Sequence, residues 1–274
     1  MTRGAALSWR QARWLIAAAI GTAAPAGAAP QRIVSINPCI DAVLMHVADA
    51  GQIAAISHYS KDPRASSITP EQAARFAATG GTAEEVVALA PDLVLSGPHV
   101  DPATIAALGR MRIPIVQLGV PDTIARNRDQ IRQIAAATGR PARGKALVAR
   151  IDAALAAAHT SRPPLPALIW LGGGLVPGSG TLADELLRAS GFRNLSADYG
   201  LEQWDVLPLE ALVARPPRVL LTTSGSSDRT LGHPVLARLH DRVAVRAWPE
   251  RLLSCGGPTI IDAVARLAAV RKSL

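Results

Sequence analysis

Six side chains of this 274-residue chain are of types that bind or react, and each falls on an expected loop: Asn37, Cys39, His58, Tyr59, Trp204 and Cys255. Cys39 and Cys255 are its only cysteines, so they either form one disulfide or stand as two thiols lining a pocket. A Cys39 thiolate with His58 as base would be a nucleophile of cysteine-enzyme type, which also needs an orienting third group. His58 and His99 are of metal-ligating type, but no HxH, HxxxH or CxxC spacing accompanies them, and a loop histidine with one hydrogen bond is the plainer reading. Tyr59 and Trp204 offer flat faces to a ligand or pack a rim; with aromatics at 3% of the chain, either role is distinctive. Neither GxSxG, a triad order nor GxGxxG occurs, and the glycine run 172–174 reads as a tight strand exit.

A repeated phrase fixes the elements that must position these residues. Residues 84–95, EEVVALAPDLVL, return as residues 210–221, EALVARPPRVLL, with Glu84 matching Glu210 and Pro91 matching Pro217. In each copy an acid opens a short apolar helix, a proline stops it, and a strand-length apolar run follows, ending at Ser96-Gly97 or Ser224-Gly225. Used twice, the unit implies two lobes. A carboxylate in a first helical turn gains about 0.3 to 1 kcal/mol from the helix dipole with no partner; its recurrence at one offset in both lobes goes beyond that.

Around the repeat, residues 32–36, 53–56, 93–95 and 115–118 read as strands of the first lobe, and 167–171, 219–223 and 243–247 as strands of the second. Helices between them start at Thr69-Pro70-Glu71-Gln72, at Thr82-Ala83-Glu84-Glu85 (both capping boxes) and at Asp101-Pro102. Helices are also expected over 122–138, 142–158, 182–189, 209–214 and 259–270. The fold class is α/β, two parallel-sheet lobes joined by a single long helix with a ligand cleft between them. Residues 1–29 are a signal peptide, 30–140 the first lobe, 141–160 the inter-lobe helix of about 25 Å, and 161–274 the second lobe. Ligands of such sheets sit beyond the strands' carboxyl ends, which selects loops 37–39, 58–60, 96–99, 172–174, 224–226 and 254–257, and Trp204 on the loop before Leu209.

The leader holds Arg3, Arg10 and Arg13 without an acid, then an apolar core of about 11 residues, short of the roughly 20 that span a bilayer. Its removal takes the net charge from +8 to +5, and the remaining basic residues form no cluster interleaved with aromatics, so nucleic acid is not an expected partner.

The motif order Arg-Ile-Val-Ser-Ile-Asn-Pro at 32–38, Ser-His-Tyr-Ser at 57–60, the two Glu-x6-Pro phrases and a late Gly-Gly-Pro resembles the helical-backbone substrate-binding proteins of ABC importers, above all the vitamin B12 and ferric-siderophore group. The resemblance implies a monomeric periplasmic receptor, not an enzyme, with no cofactor of its own. It would bind a metal chelate, cobalamin or a ferric siderophore, and deliver it to an ABC permease that docks on Glu84 and Glu210. It places ligand-contacting aromatics at Tyr59 and Trp204. Two further aromatics of the family's cobalamin pocket have no counterpart in Ala78-Thr79-Gly80-Gly81 or in the stretch after Gly174. Haem, a free metal ion and the cysteine enzyme are the alternatives.

Overall fold

Thr82 shows how short sequence signals build the first lobe. Its hydroxyl accepts from the Glu85 amide and starts α3 (Ala83–Ala88), as Thr69 starts α2 (Pro70–Ala74) and Asp101 starts α4 (Pro102–Arg110). Thr69 and Gln72 complete a capping box. Thr82 and Glu85 do not: the Glu85 carboxylate turns instead to the Thr79 hydroxyl at 2.8 Å and the Gly80 amide. Asn37 caps α1 (Pro38–Val47), with proline at its first position.

The computed structural model describes residues 28–223 and 242–274; most of the leader and the Ser224-Gly225-Ser226 loop lie outside them. Lobe one is a parallel sheet in the order β3-β2-β1-β4-β5, formed by β1 (Ile33–Ser35), β2 (Ile53–Ser57), β3 (Ala78–Thr79), β4 (Leu93–Ser96) and β5 (Ile115–Gln117). Two helices follow, α5 (Ile124–Ala137) and α6 (Pro141–Ala158).

Lobe two runs β6 (Leu165–Trp170), β7 (Leu175–Pro177), α7 (Leu182–Ala189), β8 (Phe192–Asn194), β9 (Trp204–Val206), α8 (Leu209–Ala214), β10 (Val219–Thr222), β11 (Ala244–Ala247), α9 (Arg251–Ser254) and α10 (Thr259–Lys272). Its parallel sheet is ordered β11-β10-β6-β8, and β7 pairs antiparallel with β9 in a separate ribbon. The repeated phrase is α3–β4 in one lobe and α8–β10 in the other. Both strands are central and buried along their whole length, which is why they read as unbroken apolar runs. Val86 and Leu212, at matching positions, fasten each helix to its sheet, each burial worth about 1.5 to 3 kcal/mol.

One apolar core runs through both lobes. Ile131 and Ile134 of α5 and Leu147, Val148 and Ile151 of α6 join Leu44 and Ile56 of lobe one to Ile169, Leu187 and Leu267 of lobe two. α6 packs on α1 and α10, and α5 also crosses the junction, since the Ile124 amide donates to Glu185 of α7 at 2.6 Å. Among the described residues, no helix is long and apolar enough to cross a membrane.

Candidate functional site

The carboxyl ends of the strands open on a cavity of 460 Å³ walled by both lobes. Asn37, Cys39, Trp204 and Cys255 of the expected residues line it; His58, Tyr59 and His99 do not. Gly97 and Pro98 line it too, while the glycine run 172–174 lies outside and turns the chain into β7.

Cys39 and Cys255 form a disulfide with Cα atoms 5.1 Å apart, joining the start of α1 to the loop before α10. A bridge crossing the opening between two lobes would tie their cleft shut. This one lies instead among the cavity's lining residues and leaves the space open, because the two loops already meet where the lobes share a core. With its sulfur in this bond, Cys39 carries no thiolate, and the nucleophile reading fails.

Asn37 does two things at once. Its Oδ1 accepts from the Cys39 and Ile40 amides at 2.9 and 3.1 Å, and its amide group lies so close to Gly97 that a Cβ there would sit 2.4 Å from Nδ2. The strand β1 and β4 exits can approach only because residue 97 is glycine.

His58 and Tyr59 sit on a single 3₁₀ turn after β2, with ring centroids 4.0 Å apart and Nδ1 of His58 3.3 Å from the Thr79 carbonyl. The turn is held from beneath. Oδ2 of buried Asp41 accepts from the Ser57 amide at 2.9 Å and the Ser60 hydroxyl at 2.6 Å, so the aromatic pair stands on a fixed base with Tyr59 54% exposed. Burial pushes the Asp41 carboxyl up to about 7, against hydrogen bonding from Ser35, Ser60 and Ser57.

Trp204 is on strand β9, not on a loop; it pairs with Pro177 of β7 and is 46% exposed. Gln203 beside it also lines the cavity and has a left-handed backbone, φ 58°. Only turn-rich glycine spacing at 178–180 hinted at this ribbon.

Asn127 of α5 was also missed, since a polar residue inside a helix reads as a solvent position. It is 1% exposed. Its Oδ1 accepts from the Gly257 amide at 2.8 Å while Nδ2 donates to the Thr123 carbonyl at 2.8 Å. A Cβ on Gly256 would lie 2.0 Å from that Oδ1, so the glycine pair lets the Cys255 loop rest on α5.

Glu84 and Glu210 are apart from the cavity wall. Because α3 and α8 run against the strands they precede, both helices start at the cavity end of their lobes. Both glutamates are exposed and make neither hydrogen bond nor ion pair with a described residue. Among the described residues, no group of three or more His, Cys, Asp or Glu comes together as a metal site.

The family model described as periplasmic binding protein matches residues 33–239. A cobalamin-binding protein of Halobacterium salinarum, known from two strains, is 26% identical over 222 residues, which cover 77% of this chain; the chain spans 58% of that relative's length. Among solved structures, a periplasmic heme-binding protein, RhuT of Roseiflexus sp. RS-1, superposes with a TM-score of 0.70 at 26% identity, covering 87% of this chain and 97% of its own. The periplasmic vitamin B12 binding protein BtuF of Vibrio cholerae gives 0.68 at 20% identity, covering 89% and 97%, a likeness of fold.

Proposed function

Because the chain belongs to the periplasmic binding protein family, we propose that it is a periplasmic receptor that holds a bulky metal chelate between its lobes and delivers it to an ABC permease of the inner membrane. The leader within residues 1–29 directs export; residues 30–140 and 161–274 act as the lobes, and the helix within 141–160 keeps them in register. The mature chain works as a monomer and binds without turnover.

One observation carries this reading: a cavity of 460 Å³ shared by two lobes whose sheets have four strands in the same parallel order, with a disulfide and an exposed tryptophan in its wall. Apolar side chains dominate its lining, joined by the amides of Asn37, Gln130 and Gln203, the hydroxyls of Thr181 and Ser254 and the carboxylate of Asp122, which suits a ligand bringing its own metal coordination. Asn37, Cys39 and Cys255 contact the ligand at the cavity's base and Trp204 along one wall. His58 and Tyr59 meet a ligand large enough to project beyond it. Glu84 and Glu210, exposed at the same end of each lobe, meet cationic side chains of the permease.

Cobalamin and ferric siderophores are the first candidates. Titration of the mature protein with cyanocobalamin, ferric hydroxamate and catecholate chelates, and haemin is expected to give at least one complex with a Kd of about 1 μM or tighter. Binding of none of them overturns the reading.

Haem is a second reading, favoured by the fixed His58–Tyr59 pair. A phenolate oxygen and an imidazole nitrogen are both iron-ligating groups. If haem binds, Tyr59→Phe is expected to change its visible bands; an unchanged spectrum would leave Tyr59 as a contact surface only.

A further inference from the structure

On the side of lobe two away from the ligand cavity, where β6, β10 and β11 begin, a second hollow of 420 Å³ is lined by Arg162, Arg218, Arg242 and Arg271. No carboxylate side chain among the described residues lines it; Leu274 does, and its terminal carboxylate makes no ion pair with a described residue. None of the four guanidiniums is ion-paired with a described residue, whereas nine arginine–aspartate pairs are made elsewhere among the described residues.

Arg271 is the deepest of the four, 4% exposed. Its Nε donates to the Gly191 carbonyl at 3.1 Å and Nη2 to the Pro163 carbonyl at 2.7 Å, while Nη1 is buried without a partner. Arg162 donates to the Arg271 carbonyl at 3.4 Å, which adds a second cation at the same spot. Burial first, and the Arg162 charge second, hold the Arg271 guanidinium below its usual range. A buried cation without a counter-charge is destabilising, and like charges around one hollow add to that. An anion entering the hollow reverses both effects.

We propose that this hollow is an anion site that takes a phosphate-class oxyanion, either free phosphate or the phosphate of an anionic lipid headgroup. Arginine forks match phosphate oxygens two at a time, which favours this class over halides. Strands of four to six residues separate the site from the ligand cavity by about 13 to 20 Å, so both can be filled together.

The test titrates the mature protein with inorganic phosphate against a chloride background of equal ionic strength, by calorimetry and thermal midpoint. In parallel the protein is sedimented with phosphatidylglycerol-containing vesicles and with pure phosphatidylcholine vesicles. A saturable phosphate response assigns the site to the free anion; binding confined to the phosphatidylglycerol vesicles assigns it to the headgroup. In either case Arg218→Glu with Arg242→Glu, both at exposed positions, is expected to weaken binding at least about tenfold, with the thermal midpoint in chloride checking the fold. If the double reversal does not fold, Arg218→Gln with Arg242→Gln replaces it, with the same direction expected. No saturable response to either probe, or variants that bind as tightly as the parent, would overturn the proposal.

Discussion

Lobe one and lobe two share a plan and differ in what they add to it. Setting β2-β1-β4-β5 beside β8-β6-β10-β11 gives the same parallel order, and the repeated phrase fills the same third place in both. Lobe one buries aliphatic side chains such as Ile33, Leu44 and Leu108, whereas the largest buried rings, Trp170, Trp248 and Phe192, are in lobe two. The helix ends differ as well. α3 has a threonine cap and leaves through Ala90 at φ 46°, with Arg32 donating to the Leu89 and Ala90 carbonyls; α8 has no side-chain cap and leaves through Pro216-Pro217. Each lobe also buries an aspartate at the start of an early helix, but Asp184 has Arg188 beside it and Asp41 has no cation. The shared plan puts Glu84 and Glu210 at the cavity end of their own lobes, and the additions, above all the β7–β9 ribbon, individualise the pocket.

The largest expected effect comes from cutting the covalent tie between the lobes. Cys39→Ser with Cys255→Ser opens a link between residues 216 apart and is expected to cost about 2 to 5 kcal/mol in urea unfolding. A loss below about 1 kcal/mol would mean that the shared core alone holds the lobes together. Next, once a ligand is known, Trp204→Ala is expected to weaken its binding about tenfold, and Tyr59→Ala less, because Trp204 lines the cavity and Tyr59 does not. The reverse ranking would move the main contact to lobe one.

The buried aspartate of lobe one makes stability depend on pH. Asp41 holds its proton more tightly folded than unfolded, so its contribution is fully present below the ordinary carboxylate range near 3.8 and is lost as pH rises through about 7. Between pH 6 and pH 8 the protein is expected to lose about 1 kcal/mol, and Asp41→Asn to flatten that slope; an unchanged slope in Asp41→Asn would assign it elsewhere. Thr82→Ala removes the cap that α8 does without and is expected to cost about 1 kcal/mol or less in the same urea experiment.

Periodicity and punctuation made most of the fold legible. Leu182–Ala189 and Leu209–Ala214 fall on the expected residues, and proline and threonine signals place the helix starts within one or two residues. Two-residue β3 and the β7–β9 ribbon were not legible, since such short strands carry too few residues for alternation to register and depend on pairing with distant partners. Of the cavity's lining residues, residue type pointed to Asn37, Cys39, Cys255 and Trp204 but left the cysteines' pairing open, because the approach of residues 216 apart is set by packing of α1 and the α9–α10 loop. Asn127 and Gln203 were missed for the same reason: a helical amide and an ordinary glutamine gain their roles only from Gly256, Gly257 and the ribbon turn.

The central claim is that the repeat gives each lobe one docking carboxylate separate from the pocket. Glu84→Lys with Glu210→Lys, at exposed and unpaired positions, is expected to change stability by less than about 0.5 kcal/mol. The decisive measurement compares ligand affinity of the purified variant with ligand uptake through the permease in proteoliposomes. Unchanged affinity with uptake abolished is the predicted result; weakened affinity, or uptake that continues at the parent's rate, would contradict the claim.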